Sequence, residues 1–568
     1  MTNDIFVYIT YFVLLLLLAW PFGKYMAKVF SGERTFLDPL MGPLEKMIYR
    51  LTGVDAGQEM NWRRYAWALV IFNIFGMVCL FGLQTLQHLL PWNPENIGPV
   101  APDLAFNTAV SFMTNTNWQA YSGETTMSYF TQMAGLTVQN FLSAASGLAA
   151  ALALIRGLTR KTTQHIGNFW VDLVRSVLWV FLPLCFVYAL VLVQQGVLQN
   201  LLPYQTITTL EGVQQKIAMG PVASQEAIKM LGVNGGGFFN TNSAHPFENP
   251  TPFTNFLQIL SIFLVPVGLV FTYGHMARDR RQGYVVLAAM LLMFVLHLGV
   301  VYTSEMYGNP LVKALGITGS SVMEGKEVRF GVGGSALFAT VTTAASCGAV
   351  NTMHDSLTPL GGLIALLQMM LGEVVLGGVG AGFYSMMMYI VLTVFIVGLM
   401  VGRTPEYLGK KIEAWEMKMA TVAVVVIPAA AILLFSAVAT VTAASTAATS
   451  NPAAHGLSEI IYAYSSAVGN NGSAFAGLSA NNPFYNLTLA IAMLIGRFGV
   501  IIPVLAVAGS LAEKKIIPAG PGTFRTTSIL FIVLLTGVVW MIGALTFFPA
   551  LALGPVVEQL QMLQGKVF

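Results

Sequence analysis

Charge is scarce in this sequence. Of 568 residues, 28 are Lys or Arg and 25 are Asp or Glu, so 9% are charged, against roughly 25% in an ordinary soluble protein. A globule of this size could not cover its surface with so few charges. Cysteine is nearly absent too. Cys79, Cys185 and Cys347 sit in apolar or glycine-rich stretches without CxxC spacing, which argues against a disulfide framework or a thiolate zinc site. A net charge of +3 leaves no basic stripe for nucleic acid. The sequence has no P-loop, no DKTGT-type phosphorylation string and no HExxH pair. Its longest connecting segment on the basic side, residues 25–64, is smaller than a typical domain, so ATP hydrolysis belongs on another chain.

Apolar length is abundant: 55% of residues are hydrophobic and the mean hydropathy is +0.69. A crossing helix needs about 20 apolar residues. Ten stretches meet that need: 5–24, 65–86, 131–155, 169–194, 255–275, 284–303, 359–402, 419–444, 487–511 and 526–550. The expected class is an all-α polytopic membrane protein. The start, MTNDIFVYITYFVLLLLLAW, has an acidic n-region with its positive charges after the apolar run. It reads as a retained first helix, not a cleaved signal.

Positive charge sets sidedness. Lys24 to Arg64, Arg156 to Lys161, Arg278 to Arg281, Arg403 to Lys418 and Lys514 to Arg525 fall in alternate loops and hold most of the 28 basic residues. These loops are read as cytoplasmic, with both termini outside. Parity then requires residues 359–402 to cross an odd number of times. They read as one broken helix interrupted at LGGVGAGF (376–383), with the break facing protein or water.

Four outside loops share one grammar: a short helix-compatible segment, a Gly/Asn/Thr/Ser string, then a long apolar helix. The strings are SFMTNTNWQAYSGE (111–124), KMLGVNGGGFFNTNSAH (229–245), TTAASCGAVNTMHDS (342–356) and AVGNNGSAFAGLSANN (467–482). They overlay on Asn115, Gly235, Gly348 and Gly472, with Trp118, Phe238 and Phe475 three residues later and Asn351 in the third. The pattern predicts four membrane–pore–membrane repeats about a pseudo-fourfold axis, with re-entrant pore loops and one extra helix at each end. The expected division is 1–64, pore repeats at 65–160, 161–282, 283–416 and 417–515, and a final segment 516–568. Four such loops aim backbone carbonyls at one line, where they can replace the water around a monovalent cation. Asn115, Thr116, Asn117, Asn234, Asn470 and Asn471 can brace the strings or add ligands. The aligned positions carry no carboxylate, which argues against a Ca²⁺-type site.

The strings TNTNWQ (114–119), NGGGFFNTNSAHPFENP (234–250), SCGAVNTMHDS (346–356), NNGSAFAGL (470–478) and GRFGVIIPVLAVAGSLA (496–512) resemble the potassium-binding A subunit of the bacterial Kdp-type potassium-importing ATPase, related to Trk, Ktr and HKT transporters. The resemblance spans essentially the whole chain. It implies K⁺ as the transported ion, no organic cofactor and no catalytic residues. It also implies a bacterial inner-membrane location and three partner subunits, B, C and F: a P-type ATPase, a single-span chain and a very small one, respectively. Carried over by motif, the selectivity filter comprises Thr114, Asn115 and Thr116; Asn234, Gly235 and Gly236; Ser346, Cys347 and Gly348; and Asn471, Gly472 and Ser473. The resemblance further places a gating loop below the filter, at Gly372, Glu373, Gly377, Gly378, Gly380 and Gly382. The alternative is an autonomous K⁺ channel or cation symporter of the same superfamily. A membrane-embedded enzyme would need a catalytic cluster at membrane depth, and none is visible.

Arg497 falls mid-span, where a charge needs a partner facing the bundle interior. Glu373 is the expected one, and the charge would limit cation leak below the filter. Asp172 and Arg175 are spaced for a local ion pair. His245 and His354 fall in the outer loops, His297 reads as packed within a span, and His88, His165, His275 and His455 read as interfacial.

Overall fold

The structure, a computed structural model, describes residues 2–316, 321–518 and 524–566. Helix α1 (Thr2–Ser31) is followed by the short amphipathic α2 (Asp38–Thr52). The first repeat is α3 (Trp62–Thr85), the short α4 (Pro102–Met113) and α5 (Thr131–Thr159). The second is α6 (Phe169–Gln194), α7 (Val222–Leu231) and α8 (Pro252–Met276). The third is α9 (Arg280–Tyr307), α10 (Gly331–Ala344), α11 (Pro359–Met370) and α12 (Ala381–Met400). The fourth is α13 (Ala414–Val441), α14 (Ala453–Val468) and α15 (Pro483–Glu513), and α16 (Ile529–Leu563) closes the chain. Among the described residues, ten helices are long and apolar enough to cross a membrane, as the hydropathy pattern requires. Among the described residues, strands are confined to three short two-stranded ladders: two hairpins, within 205–217 and 406–411, and one that pairs Met60–Asn61 with His165–Gly167.

The long third-repeat stretch departs from expectation in one respect. Its break is Leu371–Gly380, beginning before the LGGVGAGF string. Gly372 and Glu373 take φ of 75° and 65°, which ends α11 in left-handed backbone, and helix resumes at Ala381. With 12 residues, α11 is about 18 Å long, too short to cross.

Helices α5 and α8 are the most enclosed, while α1, α3 and α16 face outward. The reason is legible in α5, whose SAASGLAAALALI run (143–155) carries small side chains that let neighbours approach. Helix α1 crosses α8 the same way. A Cβ on Gly23 would strike the Gly268 carbonyl, and one on Gly268 would press on Phe22 and Met26.

Buried polar contacts tie the basic ends of the helices together. Arg156 of α5 grips Asp172 of α6 through both guanidinium nitrogens at 2.6 and 2.7 Å, and the Tyr65 hydroxyl donates to the same carboxylate at 2.8 Å. Arg175 instead pairs with Glu45 of α2 at 2.8 Å. The expected Asp172–Arg175 pair therefore gives way to two inter-helix pairs. Asp172 is almost fully buried and finds a bidentate partner on the neighbouring helix. The buried Lys410 ammonium caps two helix ends, donating to the carbonyls of Gly157 (2.8 Å), Leu511 (2.7 Å) and Arg160.

At the opposite end His455 is buried, not interfacial, because two carboxylates flank it. Its Nε2 meets Asp355 at 3.1 Å and its Nδ1 meets Glu558 of α16 at 2.7 Å. Burial alone would push this imidazole down, but its hydrogen bonds with Asp355 and Glu558 raise it to about 10.

Two outcomes follow for thermal unfolding in detergent. Asp172→Ala strands Arg156 without its counter-charge and lowers stability by about 3–5 kcal/mol; a double variant removing both charges recovers most of the loss. The His455 contact contributes fully below the ordinary histidine value of 6.5 and is lost as pH rises through about 10. The unfolding temperature therefore falls across that window, and His455→Gln flattens the fall.

Candidate ion-conducting site

The four short helices α4, α7, α10 and α14 end alike. In each, a backbone N–H reaches back five residues: Thr116 to Ser111 (2.9 Å), Asn234 to Lys229 (2.9 Å), Cys347 to Thr342 (2.9 Å) and Asn471 to Ser466 (2.8 Å). The residue before each donor is left-handed: Asn115 (φ 68°), Val233 (53°), Ser346 (50°) and Asn470 (52°). These two features set the true equivalences. Thr116, Asn234, Cys347 and Asn471 correspond, followed by Asn117, Gly235, Gly348 and Gly472. The counterpart of Gly235 is thus Asn117, two residues beyond the Asn115 of the sequence overlay. That overlay followed the aromatics, which come one residue after Asn117 but three after Gly235 and Gly472.

The strings meet edge to edge and close a ring. First to second, the Asn115 amide donates to the Gly232 and Val233 carbonyls at 3.3 and 3.1 Å, and Asn234 Nδ2 donates to Asn115 Oδ1 at 2.5 Å. Gln119 exchanges hydrogen bonds with the Gly237 backbone at 3.0 and 2.9 Å. Second to third, the Gly348 N–H reaches the Asn234 carbonyl at 3.4 Å. Third to fourth, Asn471 Nδ2 donates to the Thr342 carbonyl at 3.0 Å. Fourth to first, Asn470 Nδ2 donates to Thr116 Oγ1 at 2.9 Å. Two glycines are required by this closure. Gly235 (φ 96°) and Gly472 (φ 100°) are left-handed, and a Cβ would collide with the Gly348 backbone and the Thr116 carbonyl respectively. Val233 is β-branched in left-handed backbone, a strained state that the surrounding bonds must hold.

Most of the amides therefore brace. Asn117 Oδ1 and Asn234 Oδ1 are buried oxygens without a hydrogen-bond partner among the described residues. No Asp or Glu occurs among residues 114–118, 232–236, 345–349 or 469–473. The set is neutral oxygen, suited to a monovalent cation. The third string breaks the symmetry: Gly348 is absent from the left-handed glycines, and Asn351 turns its amide to Asn255 at 2.8 Å.

A cavity of about 610 Å³ lies on one side of the ring, lined in part by Asn117, Gly235, Gly348 and Gly472. On the other side runs the Leu371–Gly380 break. Glu373 faces Ser346 and Gly378 there. Gly380 and Gly147 of α5 pack so closely that a Cβ on Gly380 would strike the Gly147 carbonyl, and one on Gly147 the Val379 carbonyl. Beside it is a cavity of about 30 Å³, one water in size, lined by Gly372, Glu373, Asn470 and Gly496 among others. Gly377, Gly378 and Gly382 lie within or at the edge of the break.

Arg497 is buried at the same level, but the expected ion pair with Glu373 is not formed: no N–O distance between them is 4.0 Å or less. Arg497 Nη2 donates to the Ser143 carbonyl at 3.0 Å, and the Ser143 hydroxyl donates to Asn115 Oδ1 at 2.7 Å. A helix carbonyl of α5 thus takes the direct hydrogen bond expected of Glu373, whose carboxyl still feels the Arg497 charge across a longer distance. Gln119, Asn140, Ser143, Asn242, Glu226, Lys229 and Glu248 were missed by sequence reasoning. The charged residues inside the apolar α7 were the available signal. His297 packs against Gln368 at 3.1 Å, His354 meets the Tyr462 hydroxyl at 2.8 Å, and His245 stacks on Phe239.

Residues 9–560 match the family described as KdpA, potassium-transporting ATPase A subunit. The potassium-binding subunit of the potassium-transporting ATPase from Methylorubrum extorquens is 59% identical, over 98% of this chain and 97% of its own. The protein of the same name from Mesorhizobium japonicum is 58% identical, over 97% of each. The crystal structure of the potassium transporter TrkH from Vibrio parahaemolyticus aligns with a TM-score of 0.50 and 14% identity, covering 88% of this chain and 98% of that one, a likeness of fold. With its full-length match and its ring of four interlocked strings, the chain belongs to the family of potassium-transporting ATPase A subunits.

Proposed function

We propose that this chain binds K⁺ from outside in the ring of four strings and passes it to an ATP-hydrolysing partner for import. The observation that carries the reading is the closed ring itself: four non-helical strings, locked by side-chain amides, with neutral oxygens and no carboxylate. Such a ring favours K⁺ by the number and spacing of oxygens that replace its water, not by net charge. The filter residues are those carried over from the family motif, with Asn117 added by the register. The 610 Å³ cavity is the entry vestibule. Below the ring, the Leu371–Gly380 break obstructs the straight path and Arg497 adds a positive charge, so the ion leaves sideways through the interface with the partner. The basic loops lie in the cytoplasm and both termini outside, in the bacterial inner membrane. ATP hydrolysis belongs to the P-type ATPase partner, with the single-span chain and the very small one completing the complex. The names of the relatives and the absence of a P-loop or phosphorylation string support that assignment.

The test is tracer potassium or rubidium uptake in a bacterium lacking its own importers, with this chain alone and with its ATPase partners. ATP-dependent uptake only with the partners supports the proposal. Equal, voltage-driven uptake by the chain alone identifies an autonomous channel or symporter instead. In the same cells Gly235→Asp, which puts a Cβ and a carboxylate against the Gly348 backbone, weakens K⁺ affinity by about tenfold, or about 1.4 kcal/mol. Its discrimination against sodium and ammonium falls as well. Wild-type ion preference in an assembled variant would remove Gly235 from the filter. Arg497→Ala raises passive cation leak; unchanged leak, affinity and rate would leave Arg497 a structural contact.

A further inference from the structure

The residue whose carbonyl receives the five-back bond is a hydroxyl residue in three repeats, and its side chain braces its own string. Ser111 Oγ donates to the Trp118 carbonyl at 2.9 Å, Thr342 Oγ1 to the Ala349 carbonyl at 2.6 Å, and Ser466 Oγ accepts the Gly472 N–H at 2.9 Å. In the second repeat this position is Lys229, and its side chain is wholly buried. Its ammonium meets Glu226 at 2.9 Å, Glu248 at 2.7 Å and Ser243 Oγ at 3.1 Å, using all three donors.

The contacts return from there to the ring. Glu248 Oε1 accepts the Phe239 N–H at 2.8 Å, and a Cβ on Gly237 would stand 2.9 Å from it. Ser243 N–H donates to Asn242 Oδ1 at 2.9 Å, and Asn242 Nδ2 donates to the Gly235 carbonyl at 2.8 Å. Asn242 Oδ1 also accepts the Val350 N–H of the third string at 3.4 Å. Three buried ionisable groups thus do through a relay what one hydroxyl does elsewhere.

Stability is a poor reason for such an arrangement. Desolvating charges costs several kcal/mol each, and apolar replacements of buried ion triads are often neutral or stabilising. A saturated polar network instead specifies one geometry. We propose that the Glu226–Lys229–Glu248 triad is a positioning device that sets the ion affinity and discrimination of the ring by fixing the second string and its Gly235 carbonyl from behind. The proposal rests on the potassium reading of the ring.

The test is potassium-stimulated ATPase activity of the purified complex with its partners, comparing wild type with Lys229→Met and Glu248→Gln. The expected result is an apparent KM for K⁺ raised about tenfold, kcat within about twofold, and stimulation by ammonium or sodium approaching that by K⁺. A merely structural role would lower the yield of complex and leave KM and ion preference alone. If Lys229→Met does not assemble, Glu248→Gln, which keeps the side-chain shape, decides the matter. Assembled variants with wild-type KM and ion preference would overturn this inference alone. A wild-type complex indifferent to K⁺ would overturn the potassium reading and this inference with it.

Discussion

Non-helical backbone at membrane depth is tolerated only where protein or water satisfies its polar groups. Four strings leave helical geometry near one axis in this chain, and their packing answers that constraint. Asn115 takes two carbonyls of the next string, Asn471 takes the Thr342 carbonyl, and Asn470 takes the Thr116 hydroxyl and the Met493 carbonyl. All of these braces but the one to Met493 join two repeats, so each string is held partly by its neighbour. Small residues along α5 bring Asn140 and Ser143 close enough to join the network.

The four repeats are alike in backbone and unlike in chemistry. All four pore helices end in the same five-back bond and left-handed residue. The first string carries Asn117 where the others have glycine, the second is backed by buried charges, and the third has a Gly348 that is not left-handed and lies over the broken helix. A single ion passing through would meet four different walls. The asymmetry continues below the ring, where the break belongs to the third repeat and Arg497 to the fourth.

Charge is rare in this chain, and several of the buried charges join separate elements. Arg156 and Asp172 clamp α5 to α6, Arg175 and Glu45 hold α2, Lys326 and Glu305 meet with both side chains fully buried, and His455 links Asp355 to the last helix. These contacts sit toward the ends of the bundle, while Glu373, Arg497 and the Glu226–Lys229–Glu248 triad are the buried charges near the ring.

The amino-acid sequence by itself determined the ten apolar helices long enough to cross a membrane and the four glycine-rich and asparagine-rich strings. Those are local properties: apolar length, and short motifs whose composition disfavours regular helix. Tertiary structure alone decided which string residues correspond, that the break starts at Leu371, and which groups receive Asp172, Arg175 and Arg497. Spacing within a string could not separate Asn115 from Asn117, because the equivalence is written in φ angles and a five-back hydrogen bond. Spacing within a helix could not name the partners either. Arg497 finds its carbonyl on Ser143, 354 positions away, because a buried polar group takes whichever acceptor the packed bundle brings within reach.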